Sequence, residues 1–122
     1  MKIKKVFVIE DSIFFHKLWG KALEGKVELI WAISIEEAKV KFADNPDITA
    51  IVMDGCIIEG GALSKALNTE SLVKEFHQIK PEVPIIAVSG NPEFREKLVQ
   101  AGCSHECRKH SVPAKLCKIL GL

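Results

Sequence analysis

The feature that most constrains this chain is a recurrence of short apolar runs, several of which stop at a polar, chemically useful residue. Val6–Ile9 stops at Glu10-Asp11, Ile48–Met53 at Asp54, and Val83–Val88 at Ser89-Gly90. Each run is short for a helix and rich in β-branched residues, the composition of strands buried on both faces. Val27–Ala32 reads as a further strand, and Ser104–Arg108 as a weaker one just before Lys109.

Between these runs the apolar spacing becomes helical. Ser12 stands as N-cap for a helix on which Phe14, Leu18 and Ala22 share a face beside Phe15 and Trp19, with Gly25 as its stop. Ser34 and Glu37 have the spacing of a capping box ahead of Ile35, Ala38 and Phe42, and Asn45-Pro46 ends that helix. Asn68 or Thr69 caps a third helix carrying Leu72, Phe76 and Ile79. Pro92 suits the first turn of a fourth, with Phe94, Leu98 and Ala101 inward and Gly102 at its end. A fifth runs over Val112–Leu120 and begins near Pro113, while 55–67 reads as a glycine-containing loop.

Strands alternating with helices imply a parallel sheet with right-handed crossovers and helices on both faces. The expected fold is therefore α/β: a doubly wound, five-stranded parallel sheet in the flavodoxin-like order 2-1-3-4-5 with five helices. A chain of 122 residues fits one domain, 1–122, and 48% hydrophobic with 27% charged residues is an ordinary globular balance. Seventeen basic against sixteen acidic side chains give a net charge of +1, which argues against a nucleic-acid partner. No apolar run approaches the roughly 20 residues of a membrane span. Val6–Ile9 is also too short for a signal-peptide core, so a cytoplasmic location is expected.

The four cysteines, Cys56, Cys103, Cys107 and Cys117, form no CxxC pair and no disulfide framework. Cys103, His105, Cys107 and His110 lie close enough in sequence to suggest zinc. Three of them on one short strand cannot converge into a tetrahedron without another element, and buried free cysteines are common.

In the expected topology the switch point lies beside the first and third strands, where ligand chemistry gathers in open α/β sheets. Glu10, Asp11, Asp54, Ser89 and Lys109 then meet at one edge. Taken singly, each has a bland reading: a solvated turn for Glu10-Asp11, Asp54-Gly55 and Ser89-Gly90, a surface charge for Lys109. Their arrival at the same end of consecutive strands favours a site. Three carboxylates repel unless a cation joins them, and oxygen donors suit Mg²⁺, with the backbone carbonyl of Cys56 as a further donor. A carboxylate so held can attack a phosphoryl group to give an aspartyl phosphate, with lysine and hydroxyl holding the phosphoryl oxygens.

The chain resembles the receiver domains of two-component response regulators over essentially its whole length. The resemblance is carried by Val6-Phe7-Val8-Ile9-Glu10-Asp11, Ile51-Val52-Met53-Asp54, Val83-Pro84-Ile85-Ile86-Ala87-Val88-Ser89-Gly90, Ala101-Gly102, and Lys109 at the family's spacing beyond them. It implies Asp54 as phospho-acceptor, Glu10 and Asp11 as Mg²⁺ carboxylates, Ser89 as the hydroxyl that moves toward the phosphoryl group, and Lys109 as its ion-pairing partner. It also implies a histidine kinase or histidine phosphotransfer protein as donor, and a switched protein-interaction surface around the fourth helix and fifth strand.

Four positions depart from the family. Ile57-Ile58 stand where Met-Pro is usual, and the loop after Asp54 is longer. Glu106 aligns with the switch aromatic. His110 replaces the proline after the lysine, and a cis peptide before a non-proline residue costs about 2.5–4 kcal/mol. Two alternatives to a phospho-switching receiver follow: a pseudo-receiver that keeps the fold as an interaction module, and a small phosphatase with an aspartate nucleophile. The phosphatase lacks a cap domain and a second general acid, so a phospho-acceptor with possible autodephosphorylation is expected rather than a turnover enzyme. A stand-alone regulator and one domain of a longer protein both fit. Phe15, Trp19 and Trp31 are candidates for a partner surface or for core, and the 55–67 loop for partner specificity.

Overall fold

The computed structural model describes residues 3–58 and 66–122, with 56–58 and 66–68 described as backbone. Five parallel strands form the main sheet: β1 (Lys4–Ile9), β2 (Val27–Ala32), β3 (Ile48–Asp54), β6 (Ile85–Val88) and β7 (His105–Cys107). Their spatial order, β2-β1-β3-β6-β7, is the expected 2-1-3-4-5. The connecting helices are α1 (Ile13–Ala22), α2 (Ile35–Asp44), α3 (Glu70–Ile79), α4 (Pro92–Ala101) and α5 (Val112–Leu120).

The central strands are apolar because each is covered twice. Successive side chains of a strand point to opposite faces, and the core accordingly splits into two clusters. Phe7, Ile9, Ile51, Met53, Ile85 and Ala87 face α2, α3 and α4, which contribute Ala38, Phe42, Leu72, Val73, Phe76 and Leu98. Val6, Val8, Ala50, Val52, Ile86 and Val88 face the other way, toward Trp19, Leu23, Val112 and Leu116 of α1 and α5. Phe76 stacks on Phe42 with ring centroids 3.9 Å apart and tilts against Phe7 at 6.2 Å, joining α2, α3 and β1.

Several expectations shift locally. On α1 the inward face is Phe15, Trp19 and the following Leu23, not Phe14, Leu18 and Ala22. Trp19 is 1% exposed and Phe14 62%. Both stripes have helical spacing and differ by one position, so periodicity alone does not choose between them; the larger indole takes the core. Ile79, expected inward on α3, is exposed, and Val73 joins Leu72 and Phe76 instead. The fourth run enters its sheet at Ile85 rather than Val83. Val83 N–H closes a turn onto the Lys80 carbonyl, while Pro84, which has no N–H, offers its carbonyl to Ile51 N–H. The ends of the expected 55–67 loop pair as a second, antiparallel sheet, β4 (Cys56–Ile58) with β5 (Ala66–Asn68); 59–65 lie outside the described residues.

The caps divide in the same way. Ser34 Oγ accepts from Glu37 N–H at 3.1 Å, as the capping box requires, and the Glu37 carboxylate accepts from Ile33 N–H. Asn91, unremarked in the sequence, caps α4 by accepting from Glu93 N–H at 2.9 Å. Ser12 and Thr69 hold the N-cap positions of α1 and α3 without a side-chain cap bond. Gly102 ends α4 at φ 139°, where a side chain is strained and a Cβ would stand 3.0 Å from the His77 ring.

Replacing Phe76 with alanine is expected to cost about 3–5 kcal/mol through the cavity left among Phe7, Phe42 and the sheet. Ile79→Ala, on the same helix, is expected to stay within about 0.5 kcal/mol. Urea unfolding of both variants checks this, and equal losses would mean that α3 faces the sheet differently.

Candidate functional site at the carboxyl edge of the sheet

Strand register assembles the site. Ile9 pairs with Met53, so the next residue of each strand, Glu10 and Asp54, stand side by side where the strand order reverses. Asp54 pairs in turn with Val88, which brings Ser89 to the same edge. Val88 pairs with Cys107, so Lys109 arrives two residues past the end of β7. Glu10, Asp54 and Ser89 are buried, with Glu10 at 0% and Asp54 at 4% exposure.

Glu10, Asp11 and Asp54 offer carboxylate oxygens that all lie within 4.8 Å of one another. Lys109 Nζ is 2.9 Å from Glu10 Oε1 and 3.5 Å from Asp54 Oδ2, bridging the two buried acids. Burial works to lower the Lys109 pKa, but the hydrogen bond to Glu10 and the charges of Asp54, Glu10 and Asp11 outweigh it and raise it above the ordinary 10.5. The second Glu10 oxygen, Oε2, accepts from Ser12 N–H at 3.0 Å. Three carboxylates against one ammonium leave the pocket negative, with hard oxygen donors, which is the donor chemistry of Mg²⁺.

Four side chains that the sequence does not mark as site residues hold this arrangement in place. Trp19 Nε1–H donates to the Lys109 carbonyl at 3.0 Å, and the Phe15 ring lies under the ammonium at 5.1 Å. His16 Nε2–H donates to the Glu10 carbonyl at 2.5 Å while its ring stacks on Trp31 at 4.2 Å. Thr69 Oγ1–H donates to the Asp54 carbonyl at 2.5 Å, so the expected helix cap is spent on the strand end instead. Phe15, Trp19 and Trp31, weighed above as partner-surface candidates, thus pack under and beside the site. Their only signal in the sequence was an aromatic pair on the first helix, Phe15 and Trp19, with Trp31 on the second strand.

Ser89 is set by its own turn. Its Oγ accepts from Asn91 N–H at 3.0 Å, and its carbonyl accepts from Arg95 Nη1–H at 2.6 Å. Gly55 N–H donates to the Val88 carbonyl at 3.1 Å, and a Cβ on Gly55 would stand 2.9 Å from Phe94 Cβ and 3.5 Å from Ser89 Cβ. Glycine after Asp54 lets the Ser89 turn and α4 close down on the strand end. Cys56 opens β4 opposite Asn68, and its side chain lies outside the described residues.

The cysteine–histidine segment makes no metal site. Among the described residues, the acidic trio is the one group of His, Cys, Asp or Glu close enough to hold an ion. Burial pushes the Cys103 thiol up to about 12 and raises Cys107 as well, so both remain thiols at neutral pH. Lys109–Ser111 form a 3₁₀ turn leading into α5, and the described residues contain no cis peptide, in line with His110 after the lysine.

No protein-family model matches the chain, and no curated protein does. Solved structures do. A CheY-like response regulator receiver domain protein from Methanospirillum hungatei JF-1 superposes with a TM-score of 0.74 at 17% identity, over 98% of this chain and 92% of that one. A putative response regulator from Chloroflexus aurantiacus J-10-fl gives 0.76 at 18% identity, over 99% of this chain and all (100%) of the other. Chemotaxis protein CheY4 of Vibrio cholerae gives 0.74 at 20% identity, over 98% of each. The likeness is one of fold: the described residues have the architecture of these receiver domains. Among the described residues no helix is long and apolar enough to cross a membrane.

The charge on Lys109 stabilises the fold. A lysine whose pKa is raised by folding contributes fully below its ordinary value, and the contribution is lost as pH climbs through the raised one. The stability gap between wild type and Lys109→Gln is therefore expected to hold steady up to about pH 10 and to close above 10.5. Urea titrations between pH 7 and 11.5 measure it; a gap that widened with pH would contradict the ion pairing.

Proposed function

We propose that the chain is a receiver that accepts a phosphoryl group on Asp54 from a phosphohistidine of a partner protein. The observation that carries this reading is Lys109 Nζ between Glu10 and Asp54, at the edge where the Ser89 turn closes over Gly55. An Asp54 oxygen attacks phosphorus, the P–N bond of the donor breaks as the P–O bond forms, and the imidazole keeps the electron pair and takes up a proton. Lys109, already bridging the acids, is placed to ion-pair with a phosphoryl oxygen, and the Ser89 hydroxyl can donate to another. Its oxygen accepts from Asn91, so its own proton remains for donation.

Glu10, Asp11 and Asp54, with the Cys56 carbonyl, would hold Mg²⁺, for which their oxygen donors fit. When bound, that ion supplies positive charge against the phosphoryl oxygens. Burial of Glu10 and Asp54 keeps them poised for a cation. Hydrolysis of the acyl phosphate regenerates the Asp54 carboxylate and resets the acceptor. The partner is a histidine kinase or a histidine phosphotransfer protein. Two-component phosphorelay is the reading that unites fold and pocket.

Incubation with Mg²⁺ and acetyl phosphate is expected to add the mass of one phosphoryl group to the wild type and none to Asp54→Asn. EDTA is expected to suppress the addition. Absence of an Asp54-dependent gain, from acetyl phosphate and from a phosphorylated histidine phosphotransfer protein alike, would sink the reading.

A second reading, a pseudo-receiver with little switching, is favoured by one observation. Glu106 stands on β7 at the position of the family's switch aromatic, and its carboxylate is paired with Arg95 at 3.2 Å. Amide spectra with Mg²⁺ and beryllofluoride separate the two. A switching receiver is expected to show shifts reaching α4 and β7; shifts confined to residues around Glu10, Asp54 and Lys109 would establish the pseudo-receiver.

A further inference from the structure

We propose that Arg95 is a positioning residue for Ser89, and that Glu106 is the tether that keeps Arg95 in place; the inference rests on the phospho-acceptor reading and names the part that aims its hydroxyl. The guanidinium of Arg95, in the first turn of α4, makes two contacts in different directions. Nη1–H donates to the Ser89 carbonyl at 2.6 Å, and Nε–H donates to Glu106 Oε1 at 3.2 Å. The arginine side chain is 13% exposed and the glutamate 50%. One end of the link is thus covered at the site, and the other is in reach of solvent on the outer strand.

Backbone register gives the tether its purchase. Glu106 pairs with Ala87 across β6 and β7, two residues before Ser89. The guanidinium therefore spans from the edge strand to the turn that follows its neighbour. Ser89 Oγ is fixed by Asn91 N–H, and Arg95 N–H donates to the Asn91 carbonyl at 3.3 Å. Ser89, Asn91 and Arg95 form one closed set of hydrogen bonds, with Glu106 as its outer anchor.

Only a planar fork does this. Arginine presents several N–H groups at fixed angles, whereas the lysine ammonium is a point charge on a flexible stem. An ion pair whose carboxylate is half exposed, as in Arg95–Glu106, adds little to stability. Its effect is geometric: it fixes where the Ser89 carbonyl, and with it the hydroxyl, stands relative to Asp54. Small misplacements of a positioning group can cost large factors in rate. In this chain a carboxylate on β7 is thereby connected to the phosphoryl pocket through two bonds of one side chain.

The test compares wild type with Arg95→Ala, Arg95→Lys, Glu106→Gln and Glu106→Ala. Phosphorylation by acetyl phosphate is followed by intact mass, Mg²⁺ affinity by titration, and the amides of Ser89, Gly90 and Asn91 by NMR without donor or metal. Arg95→Ala is expected to slow phosphorylation roughly tenfold with Mg²⁺ affinity unchanged. Arg95→Lys is expected to fail to rescue it. Glu106→Gln, which keeps the acceptor, is expected to lose less than Glu106→Ala, and Arg95→Ala with Glu106→Ala to be no slower than Arg95→Ala alone. All four single variants, and the double variant, are expected to shift the Ser89–Asn91 amides. Unmoved amides, or variants phosphorylated as fast as wild type, overturn the tether while leaving Asp54 as acceptor. A wild type that takes no phosphoryl group overturns both.

Discussion

Two carboxylates buried at adjacent strand ends are the constraint on which the rest of this structure depends. Glu10 and Asp54 are almost wholly removed from water, and a buried charge is tolerated only when it is paired and hydrogen-bonded. Lys109 supplies the pairing from the far side of β6, by way of β7 and a 3₁₀ turn. The stem that delivers it is supported by aromatics of α1: Trp19 holds its carbonyl and Phe15 underlies its ammonium. The elements on that face are thereby fixed relative to one another by the need to neutralise two oxygens, as well as by apolar packing.

The sheet makes the constraint bearable. Its central strands alternate side chains into two separate cores, so each residue before the site is locked from both faces. The strand ends then emerge from rigid backbone, and the polar edge is as well defined as the apolar interior. This division explains why a chain with no net charge to speak of can concentrate so much charge at one edge.

The sheet order and the five edge residues were legible in the sequence because they follow from coarse patterns. Short apolar runs alternating with helical periods imply the order, and parallel strands put their last residues at one end. What was not legible depends on differences of a single position or on side chains acting at a distance. Phe14 and Phe15 are equivalent to periodicity, yet only one faces the core. Thr69 and Ser12 look like caps, but the Thr69 hydroxyl has a better use on the Asp54 carbonyl, and Ser12 contributes its backbone instead. Nothing in the sequence marks Arg95, whose role depends on the turn at Ser89 folding back toward it. The run 55–67, read as loop, begins and ends as strand because backbone pairing needs no distinctive sequence over three residues.

The bond from Thr69 to the Asp54 carbonyl has a consequence for how such a chain can change over time. It closes the segment between Asp54 and Thr69 into a ring, with both ends fastened where β3 stops. The entropic penalty for lengthening a closed loop grows only logarithmically, about 0.6 kcal/mol for each doubling. Residues can thus be gained or lost between the two fastenings while the carboxylate beside them stays where it is. The clasp uncouples the placement of the carboxylate from the length of chain that follows it.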